Sequence, residues 1–572
     1  RPDTVEIMSH HSVKMDFGSG ILMVCSFGDQ NDVSIFRELA LRPHAAIDLE
    51  GRMTGISGPL EGMPVADARA ASIEILLDSG RISSIEERMQ DIPVSERGGN
   101  PIEIILLKEW YVRQTDILPR LAELSGQSNF IPEKNRQYLH DWIDGISIDW
   151  PISRRRWYHT EVPIWYSEDD SLVVVPPSGA YVRPWCEQPP QDSEVLDRET
   201  RTPIGKYSDL STRLGELTGE EKVFDTWMDS SNSNLFVSGY LNDPETFGKA
   251  FPTGIRPQGK EIVRTWLYYT LLKSTLLMDK PGFQNVWIDG LGMDPWGRKM
   301  SKSLGNGIDA DSVLECGAGG RTGAWRVKGP DKSVQLKANK IGSECFRLWK
   351  ACDAQVGDDF HINPEEIEAK YFGVLTKLFN VARFASQFEI PNDLDTPLEG
   401  LRTADQWIIA EFCSVNHTVK DAWETFDIYT AAQTIKNFGT GVFPSHWLEL
   451  AKSRLYDGDQ DAAWTIHRIV RDLLTLFTPI CPFFCHHLST TLYGTSAVDI
   501  REYPDLPIDE LGDTGEGERL RGLTNGIVDF NSETWRLKKE SGLSLNAPIS
   551  GVDVPNELDE LAADLIAMHK IE

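Results

Sequence analysis

The chain has 572 residues, too many for one hydrophobic core, so about three to five domains are expected. Its 40% hydrophobic and 25% charged residues are an ordinary globular composition, and no apolar run reaches the roughly 18 residues of a membrane span. With 87 acidic against 57 basic side chains the net charge is −30, which excludes a polyanion binder acting through overall charge and leaves that task to local patches.

Arg1-Pro2-Asp3-Thr4 shows neither an initiator methionine nor a signal-peptide pattern and reads as the middle of a longer chain. Residues 1–137 read as a mixed α/β module. Gly18-Ser19-Gly20 precedes Ile21-Leu22-Met23-Val24-Cys25, an apolar run that predicts a buried strand. Gly28-Asp29-Gln30-Asn31-Asp32 follows, with a helix expected from Val33. On spacing alone two readings stay open: an N-cap with a first-turn acid, or a pair of working carboxylates.

Further on, Arg154-Arg155-Arg156-Trp157-Tyr158 places three cations beside two aromatics, a combination suited to RNA phosphates and bases or to a solvated basic turn. Asp225-Thr226-Trp227 is weak by itself. Gly259-Lys260-Glu261 starts a helix; a glycine there admits a nucleotide closely, and the carboxylate two residues on can accept from ribose hydroxyls. Val286-Trp287-Ile288 predicts a strand leading into Gly297-Arg298-Lys299-Met300-Ser301-Lys302-Ser303-Leu304-Gly305-Asn306, and a helix is expected from Asp309. Two ammonium groups three residues apart in a loop of small residues suit a polyphosphate whose charge grows during reaction.

Residues 317–343 read as an inserted loop, Gly-rich, with Arg321, Arg326, Lys328, Lys332, Lys337 and Lys340 against the single acid Asp331. From 364 onward the pattern is helical. Ile466, Ile469, Val470, Leu473, Leu474 and Phe477 form a stripe at helical spacing, closed by Pro479, and are expected to be core. The eight cysteines contain no Cys-x-x-Cys pair, which implies reduced, cytoplasmic usage. Cys481, Cys485, His486 and His487 lie in an apolar stretch and are read as packing, so no metal site is expected.

Lys299-Met300-Ser301-Lys302-Ser303 matches the signature of class I aminoacyl-tRNA synthetases. The elements around Asp225, Gly259 and this loop resemble that family in order. Phe17-Gly18-Ser19-Gly20, Gly28-Asp29-x-x-Asp32 and Glu96-Arg97-Gly98-Gly99-Asn100-Pro101 resemble its editing domain, most closely in the archaeal valyl type. Gly98 stands where relatives have cysteine, and the family's Thr-rich strand before Arg1-Pro2 is absent.

The resemblance implies an α/β multidomain fold. Its parts would be an editing module (1–137), the second half of a Rossmann-like catalytic domain (138–363), a helical anticodon-binding bundle (364–500) and a C-terminal appendage (501–572). It implies a ligase that joins valine to tRNA(Val) through valyl-adenylate, with ATP and Mg²⁺ as substrate and hydrolysis of threonyl-tRNA as editing. No zinc and no membrane partner are expected, and the enzyme would be monomeric.

In that family Lys299, Met300, Ser301, Lys302 and Ser303 would be catalytic. Gly259, Lys260 and Glu261 would join Lys299 and Lys302 in holding ATP, and Asp225 and Trp227 would shape the amino-acid pocket. Asp29 and Asp32 would serve editing, while Arg154, Arg155, Arg156, Arg321 and Lys328 would touch tRNA. The family's His-Ile-Gly-His segment has no match, and Ser9-His10-His11-Ser12 lacks its Ile-Gly turn. The expectation is a chain without the first half of the nucleotide-binding domain, inactive by itself in adenylation. A tRNA-binding chain that does not adenylate, and an isoleucyl enzyme, are the alternatives.

Overall fold

In the computed structural model the chain divides into two units, Arg1–Val112 with Pro151–Arg155, and Arg113–Trp150 with Arg156–Glu572. The structure describes residues 6–16, 19–24, 30–39, 41, 43–87, 89, 92–95, 98–316, 322–396, 399–496 and 515–572.

The first unit holds the helices Gln30–Glu38 and Val65–Asp78 and the short turn Gly55–Leu60. Ile35, Phe36, Ala68 and Ile152 are the buried hydrophobic residues among its described ones. The buried strand expected at 21–25 does not form over its described part. Residues 21–24 have no regular structure, and Ile21 and Met23 are 83% and 75% exposed. Among the described residues no strand pairs with them, and Ile21 N donates instead to Ser19 Oγ at 3.4 Å.

The expected module boundary at 137 also shifts. Residues 113–137 belong to the second unit because Asn129–Ile131 adds to a parallel sheet, in the order Thr253–Gly259, Phe283–Asp289, Asn129–Ile131. Val286 and Ile288 are fully buried in its middle strand, as a strand flanked on both sides requires. The helix Tyr268–Met278 follows Thr253–Gly259 through a π-turn, Val263–Leu267. A second, antiparallel sheet of five short strands surrounds Trp165, Val174 and Val195.

The stretch expected to be an inserted loop is folded over its described part. Gly323–Lys328 and Ser333–Ala338 form an antiparallel hairpin with Trp325 opposite Leu336 and Arg326 opposite Gln335. Residues alternate between core and water: Trp325, Val327, Leu336 and Ala338 are buried in the same core as the helices that follow. The propensity of Trp and Val and the two-residue period account for this, and a loop assignment overlooked both.

The remainder is a helical bundle centred on Gln460–Phe477, an 18-residue helix capped by Asp459. Its stripe of Ile466, Ile469, Val470, Leu473, Leu474 and Phe477 is buried as expected. The described part of the expected appendage 501–572 belongs to this bundle. Helix Gly515–Glu540 packs Leu520, Ile527 and Phe530 into its core, and Trp407 Nε1 donates to Thr524 Oγ1 at 2.8 Å. Cys481 and Cys485 are fully buried there, and burial pushes both thiols up. Among the described residues no helix is long and apolar enough to cross a membrane.

Candidate active site

The strand Phe283–Asp289 delivers the chain to Gly290, where an added Cβ would lie 1.9 Å from the Asp358 carbonyl oxygen. Only glycine allows that approach. The chain then runs parallel to Phe360–His361, with Phe360 N donating to Leu291 O at 3.1 Å and Ile362 N to Met293 O at 2.9 Å. A tight turn follows at Asp294-Pro295-Trp296-Gly297, closed by Gly297 N to Asp294 O at 2.9 Å, with Gly297 at φ 79°. Asp, Pro and Gly at the first, second and fourth positions are the residues this turn favours.

Asp294 organises what comes next. Fully buried, it accepts from Trp296 N at 3.0 Å, Arg298 N at 2.9 Å, Arg298 Nε at 2.8 Å and Asn306 Nδ2 at 2.9 Å. Burial alone raises its pKa, but these donors outweigh burial and hold the carboxyl below the ordinary range. Asn306, also fully buried, accepts from Ser301 N at 2.9 Å and donates to Lys299 O at 3.1 Å. One amide thus ties the two ends of the signature loop together. Ser301 Oγ adds bonds to Ser303 Oγ at 3.1 Å and from Leu304 N at 3.2 Å.

The loop's polar backbone is held internally while Lys299, Lys302 and Ser303 remain exposed, and Met300 and Ser301 are half-buried. Among the described residues neither ammonium group has an ion-pair partner. Asp294 and Asn306 hold the loop in shape, and sequence reasoning assigned neither. The Asp-Pro-x-Gly turn was the available signal for Asp294; nothing local marked Asn306 as the staple.

Gly259 ends the neighbouring strand, in register with Asp289. The atoms nearest to a Cβ added there all belong to the movable Glu261 carboxylate, which can turn aside. Glu261 is exposed. Lys260 is not a free cation: its Nζ lies 2.7 Å from Asp359 Oδ1, and that bond raises its pKa. Asp359 also accepts from Leu291 N at 2.8 Å, linking the end of one strand to the approach of the signature loop. On the strand leading to Gly259, Arg256 Nε and Nη2 and both amide atoms of Gln258 are buried without a hydrogen-bond partner.

Asp225 caps the helix Thr226–Ser230 by accepting from Trp227 N at 2.9 Å, and Trp227 is half-buried on that helix. The buried Lys273 closes the same region, donating to Met228 O and to Asn232 Oδ1. Burial pushes this ammonium down to about 8.

Asp29 and Arg321 lie outside the described residues. Asp32 is in the first turn of Gln30–Glu38, half-buried. The three arginines differ from one another. Arg154 donates to the carbonyls of Pro151 and Ser153, both at 2.8 Å, and Arg155 pairs with Glu109 at 3.1 Å. Arg156 is exposed beside Trp157 and Tyr158, themselves 96% and 90% exposed. Lys328 is exposed on the hairpin. Asp32, Arg154 and Arg155 belong to the first unit; the other described site residues belong to the second.

The family described as tRNA synthetases class I (I, L, M and V) matches residues 40–363, and the anticodon-binding domain of tRNA ligase matches residues 405–553. Among curated proteins, the valine–tRNA ligase of Aeropyrum pernix is 36% identical over 99% of this chain and 64% of its own length. That of Nanoarchaeum equitans is 34% identical over 99% of this chain and 68% of its own, and that of Pyrobaculum aerophilum 34% over 99% and 66%. The chain therefore spans about two thirds of the length of these relatives.

Proposed function

Because the chain belongs to the class I tRNA synthetases, we propose that it carries the signature loop and the RNA-binding bundle of a valine–tRNA ligase. The reaction has two steps. The carboxylate of valine attacks the α-phosphorus of ATP, supplied with Mg²⁺, and pyrophosphate leaves; a ribose hydroxyl of tRNA(Val) then attacks the valyl carbonyl and AMP leaves. The observation that carries the reading is the stapled loop, whose backbone bonds are closed internally while Lys299 and Lys302 stay unpaired and exposed.

Donors fixed in advance stabilise charge that develops on the leaving pyrophosphate without reorganising at the moment of reaction. In this reading Lys299 and Lys302 take that charge, with Met300, Ser301 and Ser303 shaping the loop. Gly259 gives adenosine room, Glu261 accepts from its ribose, and Lys260 acts through Asp359 by fixing the approach to the loop. Asp225 and the helix it caps set Trp227 on the amino-acid side.

An apolar pocket rejects threonine poorly, since a hydroxyl fits where a methyl does, so a second hydrolytic site is physically warranted. We assign it to Asp29 and Asp32 in the first unit. Arg156, Arg321 and Lys328 are proposed to touch tRNA, and Arg154 and Arg155 to support that segment. The reading places the reaction in the cytoplasm, in a monomer.

The test is attachment of radiolabelled valine or isoleucine to tRNA, assayed with this chain alone and after fusion to the part of the Aeropyrum pernix relative that it does not span. Valine attached in a Lys299-dependent manner supports the reading; isoleucine in its place overturns the substrate. Tight tRNA binding without attachment in either form would instead support a tRNA-binding chain that does not adenylate.

A further inference from the structure

Hairpin 323–338 has one face in the core and one in water. Ala324, Arg326 and Lys328 on one strand and Ser333, Gln335 and Lys337 on the other are all exposed, and Lys332 stands in the connecting turn. That face carries three cations and no acid; the turn adds Lys332 and Asp331. Glu365 and Glu368 are the carboxylates facing its base, but both accept from backbone: Glu365 from Lys337 N at 2.9 Å, Glu368 from Lys340 N at 3.0 Å and from Asn339 N. Among the described residues none of Arg326, Lys328, Lys332 and Lys337 forms an ion pair.

In a chain with 30 more negative than positive charges, four unpaired cations on one ordered element are a local exception to the overall field. The element is also tied to the signature loop. Lys328 N donates to Gly305 O at 3.1 Å, the Arg298 guanidinium donates to Lys328 O, and Gly329 lies so near the Trp296 ring that an added Cβ would be 3.2 Å from it. Strand alternation sets Arg326 and Lys328 about 6.8 Å apart along one edge of the face.

We propose that the exposed face of this hairpin binds the phosphates of an RNA backbone and presents that RNA beside the signature loop. This rests on the reading of the chain as RNA-binding. It adds a surface that the bare Lys-Met-Ser-Lys-Ser loop does not supply, built on a strand pair whose inner side is locked into the core.

The experiment measures affinity by fluorescence anisotropy for unfractionated tRNA and for an RNA stem-loop, from about 50 to 200 mM salt. Three proteins are compared: the unmodified chain, the triple variant Arg326→Gln, Lys328→Gln, Lys337→Gln, and a control triple, Lys14→Gln, Lys280→Gln, Lys539→Gln, at exposed positions elsewhere. Each lost phosphate contact lowers the slope of log affinity against log salt by about 0.9 on a duplex, so the hairpin triple flattens it by about two to three and the control leaves it unchanged. Restoring positive charge with Arg326→Lys, Lys328→Arg, Lys337→Arg restores the slope, which separates a charge effect from a folding defect. An unchanged slope in the hairpin triple, or an equal loss in the control, overturns the surface alone. Failure of the unmodified chain to bind RNA overturns the RNA-binding reading itself.

Discussion

Asp294 and Asp405 are both fully buried carboxylates bonded to an arginine, and they serve opposite ends. Asp405 accepts from Arg454 at 2.6 and 3.2 Å and from Trp447 Nε1 at 3.1 Å, and Arg454 is itself 7% exposed and bonded again to Asp459 at 2.9 Å. Every charge in that cluster is spent on another charge of the protein, so the cluster fixes three helices and offers nothing to a ligand. Around Asp294 the same chemistry fixes a loop, but Arg298 is 34% exposed and, among the described residues, the two lysines that the loop displays have no ion-pair partner. A buried aspartate therefore does not mark a site. What marks one is the cation left over once the buried carboxylate has been satisfied.

The largest expected effect breaks the sealed cluster. Arg454→Met strands Asp405 without its cation and should cost about 3–5 kcal/mol, whereas Asp405→Leu combined with Arg454→Met should recover most of it. Denaturant unfolding checks this; a double variant as unstable as the single one would show that packing, not charge, is at stake.

Acid is the next lever on the same bundle. His569 is buried, and desolvation, then the nearby Lys538, pushes its pKa from 6.5 down to about 4. Desolvation lowers His446 and His467 as well. A histidine depressed in the fold leaves stability intact above pH 6.5; the unfolded chain then takes the proton first, so up to about 3 kcal/mol is lost between pH 6.5 and 4. His569→Gln keeps a donor for Asn531 Oδ1, now 2.8 Å from Nε2, and should flatten that fall in a series of thermal melts. An equally steep fall in the variant would assign the acid sensitivity to other groups.

A smaller effect sharpens the contrast at the loop. Asn306→Ala removes the staple between Ser301 and Lys299 and deprives Asp294 of a donor, for about 1–3 kcal/mol, felt locally. Hydrogen exchange should speed at Ser301 and Leu304 while the bundle keeps its protection. Unaltered exchange at those amides would mean that the turn alone holds the loop.

The smallest effect on the fold comes from the lysines themselves. Lys299→Ala and Lys302→Ala should each change stability by no more than about 0.5 kcal/mol, being exposed and unpaired. In the fused enzyme each should lower valine attachment about 10²–10³-fold, as loss of one preorganised donor does. A large drop in melting temperature would place them in the structure rather than in the chemistry.

Much of the candidate site was legible because its signals are local. The signature pentapeptide, the strand Phe283–Asp289 before it, the Asp309 cap after it and the stripe on Gln460–Phe477 each lie within a few residues of one another. The failures were questions of partnership. Ile21-Leu22-Met23 has the composition of a buried strand, but a strand is buried only if another pairs with it. The hairpin looked like a loop because the stretch 317–343 that contains it holds six glycines and six basic residues, while the alternation of Trp325, Val327, Leu336 and Ala338 was the better guide. Residues 501–572 looked like an appendage because acidic and Pro/Gly-rich segments flank a small remainder, yet Leu520 and Ile527 of helix Gly515–Glu540 meet a core already built by distant helices.

The sequence by itself determined the family, the loop chemistry and the helical character of the bundle, since residue type and short-range spacing set these directly. Tertiary structure alone decided that Asn306 is the staple, that Lys260 is engaged by Asp359 while Lys299 has no ion-pair partner among the described residues, and that 323–338 stands as a braced basic face. Those facts depend on which groups meet across 10 to about 100 residues of chain, and burial and charge compensation are properties of that meeting rather than of any segment.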